Sequence, residues 1–174
     1  MSGLAPWLAA VLTVGLAGCT PKPPSKLGAP IEGRNHTGAA INRFMVNRNG
    51  GSNFGPYLGG RSQTCCVLLP VKWHPGLKVL VEWEKDPNAG ASGQWNERPF
   101  SDAWRSKMRA HRAMYTRHSA WVEVAPYDKL GVVDVHFLPC NQVAVSAVAE
   151  LPGMKGYPFD FPPRMQEPAV CPAP

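Results

Sequence analysis

The chain contains few charged residues and no apolar run long enough to cross a bilayer as a helix. Charged side chains make up 17% of its 174 residues, and residues 1–18 contain none of them. The apolar run at residues 7–18 is shorter than the ~20 residues that a membrane-spanning helix requires. We therefore interpret residues 1–18 as a signal peptide and not as a transmembrane segment.

The signal peptide ends in Leu16-Ala17-Gly18-Cys19, a pattern typical of bacterial lipoproteins. Cleavage before Cys19 would leave its thiol and amine available for acylation, and more than one acyl chain gives lasting anchorage. The alternative is an ordinary secretory peptide in which the cysteine is incidental. Thr20 follows the site and, by resemblance to enterobacterial sorting rules, suggests the outer membrane in preference to the inner. We expect a lipid-anchored, periplasm-facing protein of the cell envelope.

The net charge of the mature chain limits the classes of partner that it is expected to bind. Eighteen Lys and Arg residues against twelve Asp and Glu give a net charge of +6. This charge suits anionic lipid, lipopolysaccharide or an acidic protein. Nucleic acid is a poor candidate because we place the protein outside the cytoplasm. A hydrophobic content of 44% allows a packed core, and the mature length suffices for one domain.

Cysteine is scarce, and the C-x2-C spacing of zinc sites is absent. Beyond Cys19, the cysteines Cys65, Cys66, Cys140 and Cys171 would lie in an oxidising compartment, which favours disulfides over metal binding. Four cysteines allow three pairings, and the sequence alone does not choose among them. Because a bond between adjacent residues would strain the chain, we predict that Cys65 and Cys66 bond separately to Cys140 and Cys171. We predict no metal and no cofactor.

Proline content divides the mature chain into three parts. Residues 19–34 are rich in proline and glycine, and we interpret them as a lipidated tether that does not pack. Residues 35–150 show the alternating apolar patterns of one globular, β-rich domain. Residues 151–174 contain seven prolines and predict an extended tail on the surface, which Cys171 would pin down.

The predicted short strands and the single predicted helix indicate the fold class. Alternation predicts strands near residues 41–47, 64–69, 77–84, 120–124, 133–137 and 143–147. The His74-Pro75-Gly76 turn predicts that the second and third of these form an antiparallel hairpin. A helix is predicted over residues 101–117, with an apolar stripe along Trp104, Met108, His111 and Tyr115. We expect an α+β, mostly β fold: a small antiparallel sheet or sandwich with one amphipathic helix packed on it.

No familiar catalytic motif is present. The sequence lacks HExxH, GxSxG and the P-loop pattern. His111 belongs to the apolar stripe and is interpreted as a packed, hydrogen-bonded imidazole. His118 and His136 would meet only if the strand register allowed it, and Glu82 and Glu84 are interpreted as a solvated strand face. We predict that the protein is not an enzyme, with a hydrolase as a minor alternative.

An arginine stripe is the better candidate for function. Arg105, Arg109 and Arg112 recur about one helical turn apart, roughly 5–6 Å between neighbours. The planar guanidinium group suits bidentate pairing with carboxylate or phosphate. The alternative is a solvated helix face with no partner. Together with Trp121, these arginines are our predicted partner-binding residues.

Several sequence strings resemble a known family. They are Arg43-Phe44-Met45-Val46-Asn47, Cys65-Cys66-Val67-Leu68-Leu69-Pro70, Trp73-His74-Pro75-Gly76-Leu77, Tyr115-Thr116-Arg117-His118 and Val135-His136-Phe137-Leu138-Pro139-Cys140-Asn141. Together they are similar to small proteobacterial lipoproteins of unknown function, over about residues 35–148. The resemblance implies association with type VI secretion loci, where some members look like immunity proteins against secreted phospholipases. It implies no particular interface residues.

These observations predict a membrane-anchored periplasmic protein that binds and neutralises a type VI antibacterial effector, a phospholipase, without catalysis of its own. The anchor, the disulfide-braced domain, the lack of a catalytic set and the resemblance all favour this hypothesis. The alternative is a structural or assembly lipoprotein whose basic face binds anionic lipid or lipopolysaccharide.

Overall fold

Two four-stranded sheets form the framework of the described part of the chain. The computed structural model describes residues 23–60 and 62–172, so the predicted signal peptide and Cys19 lie outside the described residues. The strands are β1 (Lys26–Asn35), β2 (Ala40–Val46), β3 (Asn49–Gly50), β4 (Thr64–Pro70), β5 (Lys78–Asp86), β6 (Thr116–Glu123), β7 (Leu130–Phe137) and β8 (Val143–Val148). Sheet A has the order β4-β1-β7-β8 and sheet B the order β3-β2-β5-β6. With one helix, α1 (Asp102–Arg112), this mostly β architecture confirms the predicted fold class.

The two sheets pack face to face over one apolar core. Alternation places one set of side chains of each strand inward, as in β5, where Val79, Val81 and Trp83 are buried. Across the sandwich, the ring of Phe137 lies 5.3 Å from that of Phe44 and 5.9 Å from that of Trp83. Each fully buried side chain of this size contributes roughly 1.5–3 kcal/mol. No helix among the described residues has the length and apolar character needed to traverse a bilayer.

The predicted tether over residues 19–34 is wrong from Lys26 onward. Residues Lys26–Asn35 form β1, a central strand that pairs antiparallel with β4 and parallel with β7. Ala29 and Ile31 are fully buried. Pro30 fits because it lies where the register with β4 shifts, a position that needs no ladder hydrogen bond from its nitrogen. The proline content of this segment therefore concealed a core strand.

The predicted hairpin is also wrong, since β4 belongs to sheet A and β5 to sheet B. The connecting segment turns the corner of the sandwich. Trp73 packs against the core there and donates its Nε1 proton to the carbonyl of Val124 at 2.9 Å. A partly buried, hydrogen-bonded indole in the connection favours this crossing over a tight turn.

Helix α1 is shorter than predicted. Ser101 caps it by accepting a hydrogen bond from the Trp104 amide, but the helix ends at Arg112, because Thr116 begins β6 and pairs with Lys85 of β5. The apolar stripe is the less exposed side of the helix, although His111 is its one buried residue. Helix α1 therefore packs against the end of sheet B and leaves most of the sheet's outer face open.

The disulfides differ from the predicted pairing. Cys65 bonds to its neighbour Cys66, and Cys140 bonds to Cys171. Cys66 lies beside Gly28 near the start of β1, whereas Cys140 follows Phe137 beyond the end of β1. At about 3.3 Å per residue these positions are roughly 20 Å or more apart along the strand, far beyond the ~7 Å limit between bonded Cα atoms. The Cys65–Cys66 peptide bond is cis.

The proline-rich tail contains no strand or helix over residues 151–172. It crosses the outer face of sheet A, where the Met165 amide donates to the His36 carbonyl at 2.8 Å. The Cys140–Cys171 disulfide fastens its far end to the segment after β7. The tail therefore covers the part of sheet A around His36 and His136 as an extended surface segment, while Leu68 on β4 stays exposed.

Candidate functional site

The outer faces of the two sheets have opposite characters. We call the outer face of sheet A, with the tail over it, the covered face; its polar residues are Glu32, Arg34, His36, Asp134, His136 and Ser146. We call the outer face of sheet B the open face; its residues are Arg43, Met45, Leu80, Glu82, Glu84, Arg117, Ser119 and Trp121. Both are candidate sites, and we describe them in turn.

A buried charge cluster lies on the covered face. The Arg34 guanidinium donates from Nε to Asp134 Oδ1 at 3.1 Å and from Nη2 to Glu32. Glu32 also accepts a hydrogen bond from Gln63. The Glu32 and Asp134 side chains are only 7% and 3% exposed. Burial raises the pKa of Asp134, and the charge of Arg34 opposes that rise in part.

A chain of hydrogen bonds runs from this face into the tail. His36 Nδ1 lies 2.7 Å from the Pro162 carbonyl, His36 Nε2 lies 2.9 Å from His136 Nδ1, and His136 Nε2 lies 2.6 Å from the Tyr157 hydroxyl. Because a carbonyl can only accept, His36 donates to Pro162 and accepts from His136, which in turn accepts from Tyr157. Both nitrogens of each ring are thus engaged.

The surroundings keep the His136 ring neutral. Burial, followed by the nearby His36 and Arg34, lowers the pKa of His136 to about 3. Phe159 and Phe161 of the tail pack against this ring with centroids 5.4 Å away. A cavity of about 360 Å³ beside the cluster is lined by both tail and sheet residues. The imidazole nitrogens are all engaged, so this cluster is built to hold the tail.

The open face has a row of charges instead. Register places Arg43, Glu84 and Arg117 side by side on β2, β5 and β6. Glu84 accepts from Arg117 Nε at 3.1 Å and lies 3.7 Å from Arg43 Nη2. Further along β6, Trp121 is opposite Leu80 and is 67% exposed. Neither α1 nor the tail covers these side chains.

An arginine cavity lies at the helix end of the open face. It is open to solvent, has a volume of about 810 Å³, and is lined by Asn42, Arg43, Glu84, Arg112, Tyr115 and Arg117. Burial, and then the nearby Asp86, raise the pKa of Tyr115, so that its hydroxyl stays protonated and can donate. The cavity thus gathers three guanidinium groups around one carboxylate.

The structure separates the predicted partner-binding residues. Arg112 lines the arginine cavity, whereas Arg105 and Arg109 are exposed on α1 and do not. Trp121 is five residues along β6 from Thr116, roughly 17 Å at strand spacing. The sequence analysis missed Arg43 and Arg117, since only the register of three strands brings them to Arg112.

The structure separates His118 from His136 and buries His111. His118 stacks on Trp83 of sheet B and does not meet His136, whose partner is His36. His111 is buried and hydrogen-bonds Asp86 at 3.0 Å, which confirms the packed imidazole. Its Nδ1 atom has no partner among the described residues.

One group of potential metal ligands is present in the described part of the chain. Cys140, Glu167 and Cys171 have their ligand atoms within 4.8 Å of one another. Both sulfur atoms are joined in the disulfide, and Glu167 pairs with Lys85. These residues therefore act in fastening the tail.

Comparison with protein families identifies the family of this chain. Residues 34–145 match the family described as "Protein of unknown function (DUF3304)". The chain belongs to this family. The DUF3304 segment includes β2, β5, β6 and α1, and so the whole open face, whereas the tail over the covered face lies beyond it. Searches of curated proteins and of solved structures gave no match.

Proposed function

We propose that this DUF3304 protein is a lipid-anchored, non-catalytic protein of the cell envelope that binds and neutralises a type VI antibacterial effector, a phospholipase. The lipoprotein pattern at Cys19 and the family resemblance support the location and the class of partner. The observation that carries the proposal is the open face, where an exposed tryptophan and paired arginines lie on an unshielded sheet.

The residue types of the open face are those that dominate protein interfaces. Trp and Arg are enriched among the residues that contribute most binding energy. Trp121 is 67% exposed, and the Arg117 side chain is 77% exposed. Strand β6 is also the edge of sheet B, so its free backbone groups can pair with a strand of a partner.

The position of the tether supports a protein partner over the alternative of anionic lipid. The chain enters sheet A at one end, where the Val71 amide donates to the Ser25 carbonyl. Phe137, at the other end of sheet A, packs on Trp83, the neighbour of Glu84. Strand β1 spans ten residues, roughly 30 Å, so the arginine cavity lies at the end of the sandwich opposite to the entry of the chain, and an anchor at Cys19 would hold the entry end toward the bilayer.

The covered face supports the absence of catalysis. A general acid or base must reach the substrate within hydrogen-bond distance. His36 and His136 are instead buried under the tail, with their nitrogens bonded to one another, to Pro162 and to Tyr157.

Co-expression with the effector encoded beside this gene, directed to the periplasm, tests the proposal. A strain lacking the gene should die, and the wild-type gene should restore growth. Trp121→Ala should weaken effector binding by about thirtyfold or more, the loss typical of an interface residue worth ~2 kcal/mol. Leu68→Ala is the matched control, since Leu68 is similarly exposed on sheet A.

Equal survival of the deletion strain and the wild type would end the proposal. Salt-sensitive binding of the protein to anionic vesicles, without any protein partner, would favour the envelope-assembly alternative instead.

A further inference from the structure

The arginine cavity has more positive charge than its own residues neutralise. Arg43 and Arg117 share the single carboxylate of Glu84. Arg112 forms no ion pair with any residue that the structure describes. The cavity lining itself therefore contains three guanidinium groups and one carboxylate, with Asp86 near Tyr115 and Glu82 beside Arg43 and Arg117.

The cavity also offers neutral hydrogen-bond donors. Asn42 Nδ2 is buried and forms no hydrogen bond of good geometry within the described ranges, although it lies close enough to the Tyr115 hydroxyl to lower the pKa of that phenol in part. Leaving such a donor unpaired is unfavourable, so an acceptor that enters the cavity gains from it. The Tyr115 hydroxyl adds a second neutral donor. An acceptor with several oxygen atoms would be surrounded by donors on two strands, β2 and β6, and at the end of α1.

We infer that the arginine cavity binds a phosphate monoester. Its two negative charges and three terminal oxygens suit three guanidinium groups better than a single carboxylate does. Its oxygens can accept the forked, two-bond contacts that guanidinium groups form. The cavity volume of about 810 Å³ exceeds that of a phosphate alone, so the organic part of the ester lies toward the open side. This inference does not depend on the proposed effector binding.

Arg109 provides a matched control for Arg112. Both are exposed on the same helix and have the same charge, but only Arg112 lines the cavity. Arg112→Gln removes no ion pair among the described residues, so the fold should tolerate it, and a thermal unfolding curve checks this. Arg117→Gln is a second variant, because it removes a guanidinium group from β6 independently of α1.

The experiment titrates the detergent-solubilised full chain with glycerol 3-phosphate by calorimetry in a phosphate-free buffer. Wild-type protein and Arg109→Gln should bind alike, within about twofold, and Arg112→Gln should bind about tenfold more weakly. The same proteins are mixed with vesicles of phosphatidylcholine, with and without phosphatidic acid, whose headgroup is a phosphate monoester. Binding to the soluble probe identifies a free monoester as a sufficient ligand; binding only to phosphatidic acid vesicles, lost in Arg112→Gln, identifies a lipid headgroup.

Two results would overturn the inference. One is the absence of binding to either probe at millimolar phosphate. The other is an equal loss in Arg109→Gln and Arg112→Gln, which would show attraction by net charge only. Because Trp121 does not line the cavity, Trp121→Ala should weaken effector binding and leave phosphate binding unchanged, so the two proposals fail separately.

Discussion

The covered face and the open face both pair arginines with carboxylates, but the two arrangements have different roles. On the covered face, one guanidinium group serves two buried carboxylates, and a segment of the same chain lies over them. On the open face, two guanidinium groups share one carboxylate, and a third lies beside them without an acid. The first arrangement is complete within the protein. The second has donors and positive charge that water now satisfies and that are available to a ligand or partner.

Burial decides whether a charged residue contributes to folding or to binding. In a dry interior, removing one member of an ion pair leaves an uncompensated charge at a cost of several kcal/mol. At an exposed position, water replaces the lost partner at little cost. Residues of the covered face should therefore affect folding, and those of the open face should affect binding.

The largest expected effect is that of Arg34→Met on the covered face. It would leave Glu32 and Asp134 buried without their cation, so we expect the free energy of unfolding to fall by about 3–5 kcal/mol. Arg43→Met, whose side chain is 60% exposed, should cost less than about 1 kcal/mol. Urea unfolding of both variants measures the difference. Equal losses would break the comparison between the faces.

The disulfide that fastens the tail should have the next largest effect. Cys140 and Cys171 are 31 residues apart, and opening a loop of that length costs roughly 3–4 kcal/mol in the chain-entropy account. Replacing both with serine should destabilise the protein by about that amount and increase hydrogen exchange in the tail. The double change of Cys65 and Cys66 to serine is the control, because these residues are adjacent and close no long loop. If the control costs as much, the tail is not what the disulfide stabilises.

The covered face should also make stability depend on pH. The pKa of His136 is lowered from 6.5 to about 3 in the folded protein, so the unfolded state takes up its proton first as the pH falls. Its contribution is complete above pH 6.5 and is lost progressively toward pH 3, at about 1.4 kcal/mol per unit, or about 2 kcal/mol at pH 5. Asp134 acts in the opposite direction, because its raised pKa lets the folded state bind a proton more readily in acid.

Unfolding measured at pH 7 and at pH 5 in wild type and in His136→Gln tests this expectation. The variant should be less stable at neutral pH but should lose less stability on acidification. Arg34, His36 and Tyr157 face the same ring and remain in both proteins. If the free energy of unfolding changed equally with pH in the two proteins, the acid sensitivity would come from groups other than His136.

The two faces also differ in how far the sequence predicts them. Strand β5 is apparent from local alternation, and Arg112 could be nominated from helical spacing alone. Arg43 and Arg117 could not, because they join Arg112 only through the pairing of β2, β5 and β6. Side-chain periodicity is local, whereas strand register is not.

The covered face was almost wholly hidden in the sequence. Its strand β1 contains Pro30 and follows a proline-rich segment, so it has the composition of a linker. Its neighbour β7 begins about a hundred positions later along the chain, and their parallel pairing has no local turn signal. The contact of His36 with His136 depends on that pairing. The disulfide prediction failed for the same reason, since the distance from Cys66 to Cys140 follows from the length of β1.

The smallest expected effect on stability is that of Trp121→Ser on the open face. Substitutions at exposed positions usually change the free energy of unfolding by no more than about 0.5 kcal/mol, because the side chain keeps its contact with water in both states. Since Trp121 is 67% exposed, its indole does little for folding, and we expect the variant to unfold at the wild-type urea concentration while losing its partner. A loss of stability near 2 kcal/mol would mean that the indole is packed in solution. In that case Trp121 would be covered by other parts of the protein, and it would no longer be evidence for a binding surface.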